Sequence, residues 1–255
     1  MSVFEKYSSY YDLLYKDKDY AGEAKFVLAR IAQHMSNAFS ILEFGCGTGT
    51  HARLFATAGL EVHGIDYSDE MLRIARQGSS ELPSAVNGRL SFARGDIRNY
   101  RADKLFDVVT ALFHVVSYQT SNEDLIASMR TAKEHLKDGG IFLFDYWFGP
   151  AVLALRPDIR VKRMESDDIR VTRIAEPLMN CNTSCVNVNY TLFVEDKRTR
   201  ATEQFTENHM MRYLFPMEVE LLAQAIGMRV LESFEWMTGK SPDLSTWGVC
   251  TVLGQ

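Results

Sequence analysis

A glycine-rich turn directly after a predicted strand offers the first chemistry in the sequence. Residues 41–50 read ILEFGCGTGT, in which Gly45, Gly47 and Gly49 alternate with larger residues. Glycine lets the backbone turn sharply and bring bare peptide N–H groups against a ligand, and the following helix presents its positive end to a carboxylate or phosphate. Thr50 stands where a dinucleotide-binding loop would carry its third glycine. The turn therefore predicts a nucleotide-type ligand and lacks the full pattern of a dinucleotide-binding loop.

Two acidic residues stand at the ends of the next two predicted strands. Asp66 ends the second strand, where its two carboxylate oxygens can accept from the vicinal hydroxyls of a ribose. Asp96 follows Gly95 at the end of the third strand, where an exocyclic adenine amine needs an acceptor. Because ligands of parallel α/β sheets bind at the carboxyl ends of the strands, the two acids predict an adenosine site.

Apolar runs of strand length alternate with helical patterns through the first ~150 residues, which predicts a parallel sheet covered by helices. The glycine-rich turn and both acids fall at strand ends of this pattern. The predicted strands are Ser40–Gly45, Glu61–Asp66, Leu90–Arg94, Phe106–Phe113 and Ile141–Trp147. The predicted helices are Glu5–Tyr15, Tyr20–Met35, Thr50–Ala58, Glu70–Gln77 and Asn122–Leu136, the last with Asn122 as its cap and followed by a turn at residues 137–140.

The pattern changes after Pro157 and returns to its first form near the end of the chain. From Val186 to Val194 apolar and polar residues alternate, which is typical of a half-buried antiparallel strand. Residues 158–212 therefore predict a small sheet of three or four strands packed on the core. The last predicted elements are a helix at Pro216–Ile226 and strands at Met228–Trp236 and Gly248–Gly254.

Five short motifs resemble, in order and spacing, those of class I S-adenosylmethionine-dependent methyltransferases. They are EFGCGTG at 43–49, VHGID at 62–66, GDI at 95–97, FDVV at 106–109 and LKDGG at 136–140. The resemblance implies an α/β fold with a seven-stranded Rossmann-like methyltransferase sheet, whose last strand is antiparallel, and a small antiparallel β insertion after the fifth strand. Residues 1–157 would hold the N-terminal helices and the cofactor-binding core, 158–212 the insertion over the active site, and 213–255 the completion of the core sheet.

The same resemblance implies S-adenosyl-L-methionine as the cofactor and assigns roles to the motif residues. Gly45 and Gly47 would lie against its methionine part, Asp66 would hold the ribose, and Asp96 would read the adenine edge. The full set of implied cofactor-binding residues is Tyr11, Tyr20, Glu43, Gly45, Cys46, Gly47, Thr50, Asp66, Tyr67, Met71, Gly95, Asp96, Ile97, Leu112 and Phe113.

A tyrosine-rich segment precedes the first predicted strand, with YSSYYDLLY at residues 7–15 and DKDY at 17–20. With the inserted sheet, it is similar to methyltransferases that act on the amino group of nucleotide-linked sugars and, more distantly, to glycine N-methyltransferases. In those enzymes both parts roof the active site. The resemblance therefore implies a small polar acceptor, bound by Tyr15, Tyr146, Trp147 and Arg212, with Tyr11, His114, Tyr118 and His209 as candidate catalytic residues.

Methyl transfer to a neutral amine and to a hydroxyl make different demands on the protein. Holding the nucleophile ~3–3.5 Å from the methyl carbon can lower the barrier by ~7–11 kcal/mol. A neutral amine can react through positioning alone, whereas a hydroxyl needs a base, for which His114 and His209 are the candidates. N-methylation of a nucleotide-linked amino sugar is the leading hypothesis. A small-molecule O-methyltransferase, an NAD-dependent oxidoreductase and a non-catalytic cofactor sensor remain as alternatives.

Charge, hydropathy and spacing exclude several other classes. A net charge of -5 disfavours a nucleic-acid partner, and no apolar run approaches the ~20 residues that cross a bilayer. The first residues lack the apolar core of a signal peptide, so we expect a cytoplasmic protein without a membrane partner. The cysteines lack zinc-site spacing, so we expect no metal. A homodimer is left open.

Overall fold

The computed structural model describes Tyr11 and residues 13–255. Five parallel strands form the centre of the molecule, in the order β3-β2-β1-β4-β5. These strands are β1 (Ser40–Phe44), β2 (Glu61–Asp66), β3 (Leu90–Arg94), β4 (Phe106–Ala111) and β5 (Leu136–Phe148). The helices among them are α1 (Tyr20–His34), α2 (Thr50–Thr57), α3 (Asp69–Ser80), α4 (Ser84–Asn87), a 3₁₀ turn at Val115–Tyr118 and α5 (Asn122–Glu134). Of the helix predicted at Glu5–Tyr15, residues 5–10 and 12 lie outside the described residues, and Tyr11, Leu13 and Leu14 are helical.

Two C-terminal strands complete this sheet, as expected. Strand β11 (Gly248–Gly254) runs antiparallel to β5, and β10 (Arg229–Glu235) runs antiparallel to β11. The resulting order is that of the Rossmann-like methyltransferase sheet with an antiparallel last strand, so the predicted fold class is confirmed.

The insertion forms four antiparallel strands and joins the core sheet through hydrogen bonds. Its elements are α6 (Gly149–Leu155), β6 (Arg160–Glu165), β7 (Ile169–Asn180), β8 (Cys185–Asp196) and β9 (Thr202–Leu214), after which α7 (Pro216–Ala225) returns to the core. Strand β9 pairs in parallel with β5, Trp147 with Tyr213 and Phe148 with Leu214. Strand β4 pairs with β5 only as far as Phe144, and β9 pairs with the end of β5 beyond that residue.

The central strands β1, β4 and β5 are buried on both faces over most of their length, as parallel sheets covered by helices require, whereas the edge strand β3 is partly exposed. Leu42, Val109 and Phe144 pack on the face that α5 and α7 cover, whereas Ile41 and Val108 pack on the face of α1 and α2. Three buried polar residues interrupt the apolar surface of the sheet face that α1 and α2 cover. They are Glu43, Thr110 and Asp145, each at most 2% exposed. A buried polar group costs free energy unless it is paired or has a function.

Two of the differences between predicted and observed element ends have a clear physical cause. Ser121 rather than Asn122 caps α5, because its hydroxyl accepts from the backbone N–H of Asp124 at 3.0 Å. Strand β5 begins at Leu136 instead of Ile141, since Gly139, at φ +73°, lets the expected turn form an irregularity within the strand. Among the described residues, no helix is long and apolar enough to cross a membrane.

Candidate active site

A cavity of about 810 Å³ opens at the carboxyl ends of the core strands, between the glycine-rich turn and the inserted sheet. Such a position is where open α/β sheets bind ligands. Of the 22 residues that the sequence predicted for the site, 20 line this cavity: Tyr11, Tyr15, Tyr20, Glu43, Gly45, Cys46, Gly47, Thr50, Asp66, Tyr67, Met71, Gly95, Asp96, Ile97, Leu112, Phe113, His114, Tyr118, Trp147 and His209.

The glycine-rich turn presents bare backbone to the cavity. Gly45 and Gly47 have φ of +61° and +54°, a region that favours glycine. A Cβ at Gly45 would lie 2.5 Å from Val115, whereas one at Gly47 would meet nothing within 4 Å. Gly45 thus allows the 3₁₀ turn to pack closely, and Gly47 keeps a ligand-sized space open beside the peptide.

Glu43 brings a buried carboxyl to the base of this turn. Its Oε2 has no hydrogen-bond partner among the described residues, while the backbone N–H of Ala52 donates to the carboxyl group. Burial, with the neighbouring charge of Asp66, raises the pKa of Glu43 to about 8. An unpartnered carboxylate oxygen at this depth fits the positive charge of an ammonium or sulfonium group, which S-adenosylmethionine carries.

Asp66 is held in place by backbone donors. Its Oδ1 accepts from the N–H of Ser68 at 2.8 Å, and its Oδ2 accepts from the N–H of Gly47 at 2.9 Å. Burial raises the pKa of Asp66, and these hydrogen bonds oppose the rise. Each oxygen keeps a second lone pair, so the carboxylate can still accept from two ribose hydroxyls.

Arg98, which no sequence motif indicated, forms an ion pair with Asp96. Nε of Arg98 lies 2.9 Å from Oδ1 of Asp96, and Nη1 lies 2.9 Å from Oδ1 of Asp124. The guanidinium lowers the pKa of Asp96. Arg98 and Asp124 both line the cavity, so this charge cluster forms its rim where the adenine is expected.

The described part of the tyrosine-rich segment, Tyr11 and residues 13–20, packs between the cavity and the inserted sheet, while residues 7–10 and 12 lie outside the described residues. The Tyr15 ring centroid lies 4.8 Å from that of Tyr11 and 5.0 Å from that of Phe113. Leu14 is fully buried beside Val171 and other apolar residues of the insertion, and Nη1 of Arg173 donates to the Tyr15 hydroxyl at 3.1 Å. The two parts expected to roof the site therefore contact each other and the cavity.

Lys18, Glu23 and His51 form a buried cluster beside this segment. Nζ of Lys18 lies 4.2 Å from the Tyr20 ring centroid and 4.6 Å from that of Phe113, and it pairs with Glu23. Nε2 of His51 also lies 2.9 Å from Oε2 of Glu23. His51 thus has a partner in Glu23 and also lines the cavity.

Two histidines that line the cavity, His209 and His114, contact neighbouring side chains. The Tyr118 hydroxyl and Nδ1 of His209 share a hydrogen bond of 2.8 Å, and Nε2 of His209 lies 3.2 Å from Oε2 of Glu207. Nδ1 of His114 lies 2.7 Å from Oδ2 of Asp145. His114 and its neighbour Phe113 both have left-handed φ, near +65°, which costs ~1–2 kcal/mol per non-glycine residue.

Two predicted acceptor residues, Tyr146 and Arg212, do not line the cavity. Tyr146 is 1% exposed among Phe144 and Phe148, because its strand position faces α5 and α7, and burial raises its pKa to about 12. Arg212 donates from Nη2 to Oδ1 of Asn122 at 2.7 Å and also pairs with Glu218. Its place in β9 alternates with Met211, which does reach the cavity.

Several cavity residues carried no local signal in the sequence. Arg160 and Tyr190 come from β6 and β8, whose positions depend on how the inserted strands pair. Trp247 reaches the cavity from the loop before β11 and lies 5.5 Å, centroid to centroid, from the Trp147 ring. Within the described part of the chain, no group of three or more His, Cys, Asp or Glu side chains is arranged to hold a metal ion.

Comparisons with known proteins agree with this geometry. A family model described as a methyltransferase domain matches residues 41–140. The chain is 30% identical to a dTDP-3-amino-3,4,6-trideoxy-alpha-D-glucopyranose N,N-dimethyltransferase of Streptomyces venezuelae, over 86% of this chain and 89% of that one. It is 27% identical to a dTDP-3-amino-3,6-dideoxy-alpha-D-glucopyranose N,N-dimethyltransferase of Streptomyces fradiae, over 90% and 84%. A solved S-adenosylmethionine-dependent methyltransferase from Clostridium acetobutylicum superposes with a TM-score of 0.81 at 21% identity, over 98% of both chains.

Proposed function

The chain belongs to the S-adenosylmethionine-dependent methyltransferases, and we propose that its acceptor is the amino group of a nucleotide-linked sugar. The observation that carries this proposal is that the similarity to two dTDP-amino-sugar N,N-dimethyltransferases covers at least 86% of the chain. A match of this extent includes most of the inserted sheet, beyond the 41–140 core that the general family model matches. Membership of this family removes the NAD-dependent oxidoreductase and the non-catalytic sensor from the alternatives.

One half of the cavity suits the cofactor. Gly47 offers bare backbone, Glu43 offers an unpartnered carboxyl oxygen to the methionine ammonium, and Asp66 offers two acceptors to the ribose. When bound, S-adenosylmethionine supplies the methyl group, and its sulfur keeps the electron pair of the broken C–S bond. The faces of aromatic rings such as Tyr15 and Phe113 stabilise positive charge by ~0.5–2 kcal/mol.

The other half, under the inserted sheet, suits a sugar linked to a phosphate. Trp147, Trp247 and Tyr190 present apolar faces and ring edges, while Tyr118 and His209 offer hydrogen-bonding groups. Arg160 brings a guanidinium to the same wall, and guanidinium groups bind phosphate through paired hydrogen bonds. The inserted sheet would therefore fix the acceptor, and the core strands would fix the donor.

Positioning is the main contribution that these residues make to the reaction. The Tyr15 ring packs against both Tyr11 and Phe113, and these rings limit where an acceptor nitrogen can lie. A small-molecule O-methyltransferase with His114 or His209 as base is the second candidate, since both rings line the cavity. The amine is favoured because both relatives named above carry amino-sugar N-methylation in their names.

A direct assay tests the acceptor class. The purified protein is incubated with S-adenosylmethionine and a dTDP-linked amino sugar, and with the matched dTDP sugar that carries a hydroxyl in place of the amine. We expect mass spectrometry to detect methylation of the amino sugar and none of the hydroxyl analogue. Methylation of the hydroxyl analogue alone would favour the O-methyltransferase, and methylation of neither would contradict a nucleotide-sugar acceptor.

A further inference from the structure

The geometry points to a dyad of His114 and Asp145, in which Asp145 positions His114 and His114 removes a proton from the ammonium form of the acceptor. This inference rests on the proposed function, because it concerns an amine acceptor. Asp145, a residue outside the recognised motifs, has a positioning role in this dyad, and the acceptor is bound in its ammonium form.

One carboxylate holds both the backbone and the ring of His114. Asp145 lies on β5, 1% exposed, and its two oxygens lie 3.1 and 3.2 Å from the backbone nitrogen of His114, which donates to them. Oδ2 also lies 2.7 Å from Nδ1 of the ring. This second contact does not have the geometry of a hydrogen bond and is a short electrostatic contact. Asp145 therefore stabilises the left-handed turn at His114 and fixes the direction of its ring.

The arrangement leaves the other ring nitrogen, Nε2, for the cavity. Nδ1 is buried against Asp145, whereas the His114 side chain is 22% exposed and lines the cavity, so the exposed part of the ring is the edge away from Asp145. A carboxylate beside Nδ1 favours the tautomer that carries its proton there. The lone pair of the neutral ring then lies on Nε2, where a base needs it.

The other titratable groups described around His114 and Asp145 do not bring a negative charge into contact with His114. Burial raises the pKa of the Cys250 thiol on β11 and lowers the pKa of His51 on α2, so both are neutral near neutral pH. Lys18, before α1, is paired with Glu23. In the 3₁₀ turn directly after His114, Tyr118 bonds to His209 of β9, and His209 also contacts Glu207. Asp145 is thus the anionic group in direct contact with His114.

An amine acceptor needs such a base because its stable form near neutrality is not nucleophilic. Amino groups titrate between about 8, for an α-amino group, and about 10, for a lysine side chain, so most of the acceptor is an ammonium ion at about pH 7. The ammonium has no lone pair. In the proposed step an N–H bond breaks, the proton passes to Nε2 of His114, and the bonding electrons remain on nitrogen as the lone pair that attacks the methyl carbon. The proton leaves His114 for water when the products depart.

The pH dependence of the mutational loss tests the dyad. We expect His114→Gln to lower kcat/KM by about 10- to 10³-fold at about pH 7, because the variant must use the small neutral fraction of the amine. The loss should shrink to less than about threefold one pH unit above the pKa of the acceptor amine, where most of the acceptor is neutral. Asp145→Asn, which keeps an oxygen for the His114 backbone N–H, should show the same trend with a smaller loss. A loss of equal size at both pH values would overturn the dyad.

Two variants outside the cavity serve as matched controls. Asp107 also accepts two backbone N–H groups, from Phe39 and Ser40, but at the opposite end of the sheet. His63 on β2 contacts Ser91 on β3 and Tyr100 in the loop that follows β3. Asp107→Asn and His63→Gln should change activity by less than about threefold, with no dependence on pH beyond that of the unsubstituted protein. A control that reproduced the trend of His114→Gln would contradict a specific role for the dyad.

A measurement without any acceptor separates this inference from the proposed function. Nitrogen NMR of histidine distinguishes a proton on Nδ1 from one on Nε2. We expect the neutral His114 ring to carry its proton on Nδ1 in the unsubstituted protein and to lose this preference in Asp145→Asn. A proton on Nε2 in the unsubstituted protein would overturn the dyad, whatever the acceptor. Failure to methylate any amino sugar, with the expected tautomer present, would instead contradict the proposed acceptor.

Discussion

The backbone N–H of Gly47 donates to Oδ2 of Asp66 at 2.9 Å, so the turn after β1 and the end of β2 are joined by a hydrogen bond. This bond fixes the carboxylate next to the bare peptide of the glycine-rich turn. The ribose and the methionine part of the cofactor therefore have their binding groups held at a set separation before the cofactor arrives.

Removal of the Asp66 carboxylate should weaken cofactor binding far more than folding. Asp66→Ala loses the acceptor of two ribose hydroxyls, so we expect the binding free energy of S-adenosylhomocysteine to weaken by ~2–4 kcal/mol in calorimetry. The exposed Asp69, which pairs with Arg94 on the surface, provides the control, and Asp69→Ala should leave the affinity unchanged. An unaltered Kd in Asp66→Ala would refute its assignment to the ribose.

Gly47→Ala should abolish most cofactor binding with only a modest loss of stability. Alanine at φ +54° costs ~1–2 kcal/mol of folding free energy, and its methyl group would occupy the open space beside the turn. Gly139 is a matched control, because it has φ of +73° and also no atom within 4 Å of an added Cβ, but lies at the other end of β5. Thermal unfolding should show similar losses for the two variants. Equal cofactor affinity in both variants would show that Gly47 does not contact the cofactor.

The buried carboxyl of Glu43 should make the protein less stable as pH rises. Its pKa is raised from 4.5 to about 8 in the folded state, so the folded protein holds this proton more tightly than the unfolded chain does. Its stabilising contribution is complete below pH 4.5 and is lost as the pH approaches about 8. Denaturant unfolding at a series of pH values should show this slope, and Glu43→Gln should remove it. A slope that persists in Glu43→Gln would assign it to other groups.

The same carboxyl should make cofactor affinity depend on pH. Binding of a positively charged ligand favours the ionised form of Glu43, so the ligand must displace a proton when the pH lies below about 8. We expect the affinity for S-adenosylmethionine to rise with pH up to that value, with proton release detectable by calorimetry in buffers of different ionisation enthalpy. Glu43→Gln should bind more weakly and without this proton release. Equal proton release by both proteins would contradict the assignment.

Tyr118 should affect the acceptor and leave the cofactor untouched. Tyr118→Phe removes the hydroxyl that bonds to His209, so we expect the acceptor KM to rise by about 5- to 20-fold, with the affinity for S-adenosylhomocysteine unchanged. Tyr100 offers a matched control, since its hydroxyl also contacts a histidine, His63 at 2.6 Å, outside the cavity. Tyr100→Phe should leave both constants unchanged. A weaker cofactor affinity in Tyr118→Phe would place this side chain in the donor half instead.

The cofactor half of the site was predictable because its chemistry is local in sequence. The Gly45 to Gly49 turn follows a strand within a few residues, and Asp66 and Asp96 each end a strand whose apolar run is visible in the chain. These residues reach the cavity because the strands are parallel, so that their carboxyl ends lie at the same edge of the sheet. No long-range pairing had to be known to bring them together.

The acceptor half was less predictable because it depends on pairing between distant strands. Asp145 meets His114 through the register of β5 against β4, and Arg160 and Tyr190 reach the cavity only once the inserted strands have paired. Tyr146 follows Asp145 in β5 and therefore faces the opposite side of the sheet. The alternation of side chains along the strand would have indicated this once the register of β5 was known.

A crystal structure of the protein with S-adenosylhomocysteine tests the central claim most directly. We expect the ribose hydroxyls within hydrogen-bond distance of Asp66, the methionine part against Gly45 and Gly47, and the adenine beside Asp96. Electron density for the ligand elsewhere on the protein, or a ribose remote from Asp66 within the cavity, would contradict the account.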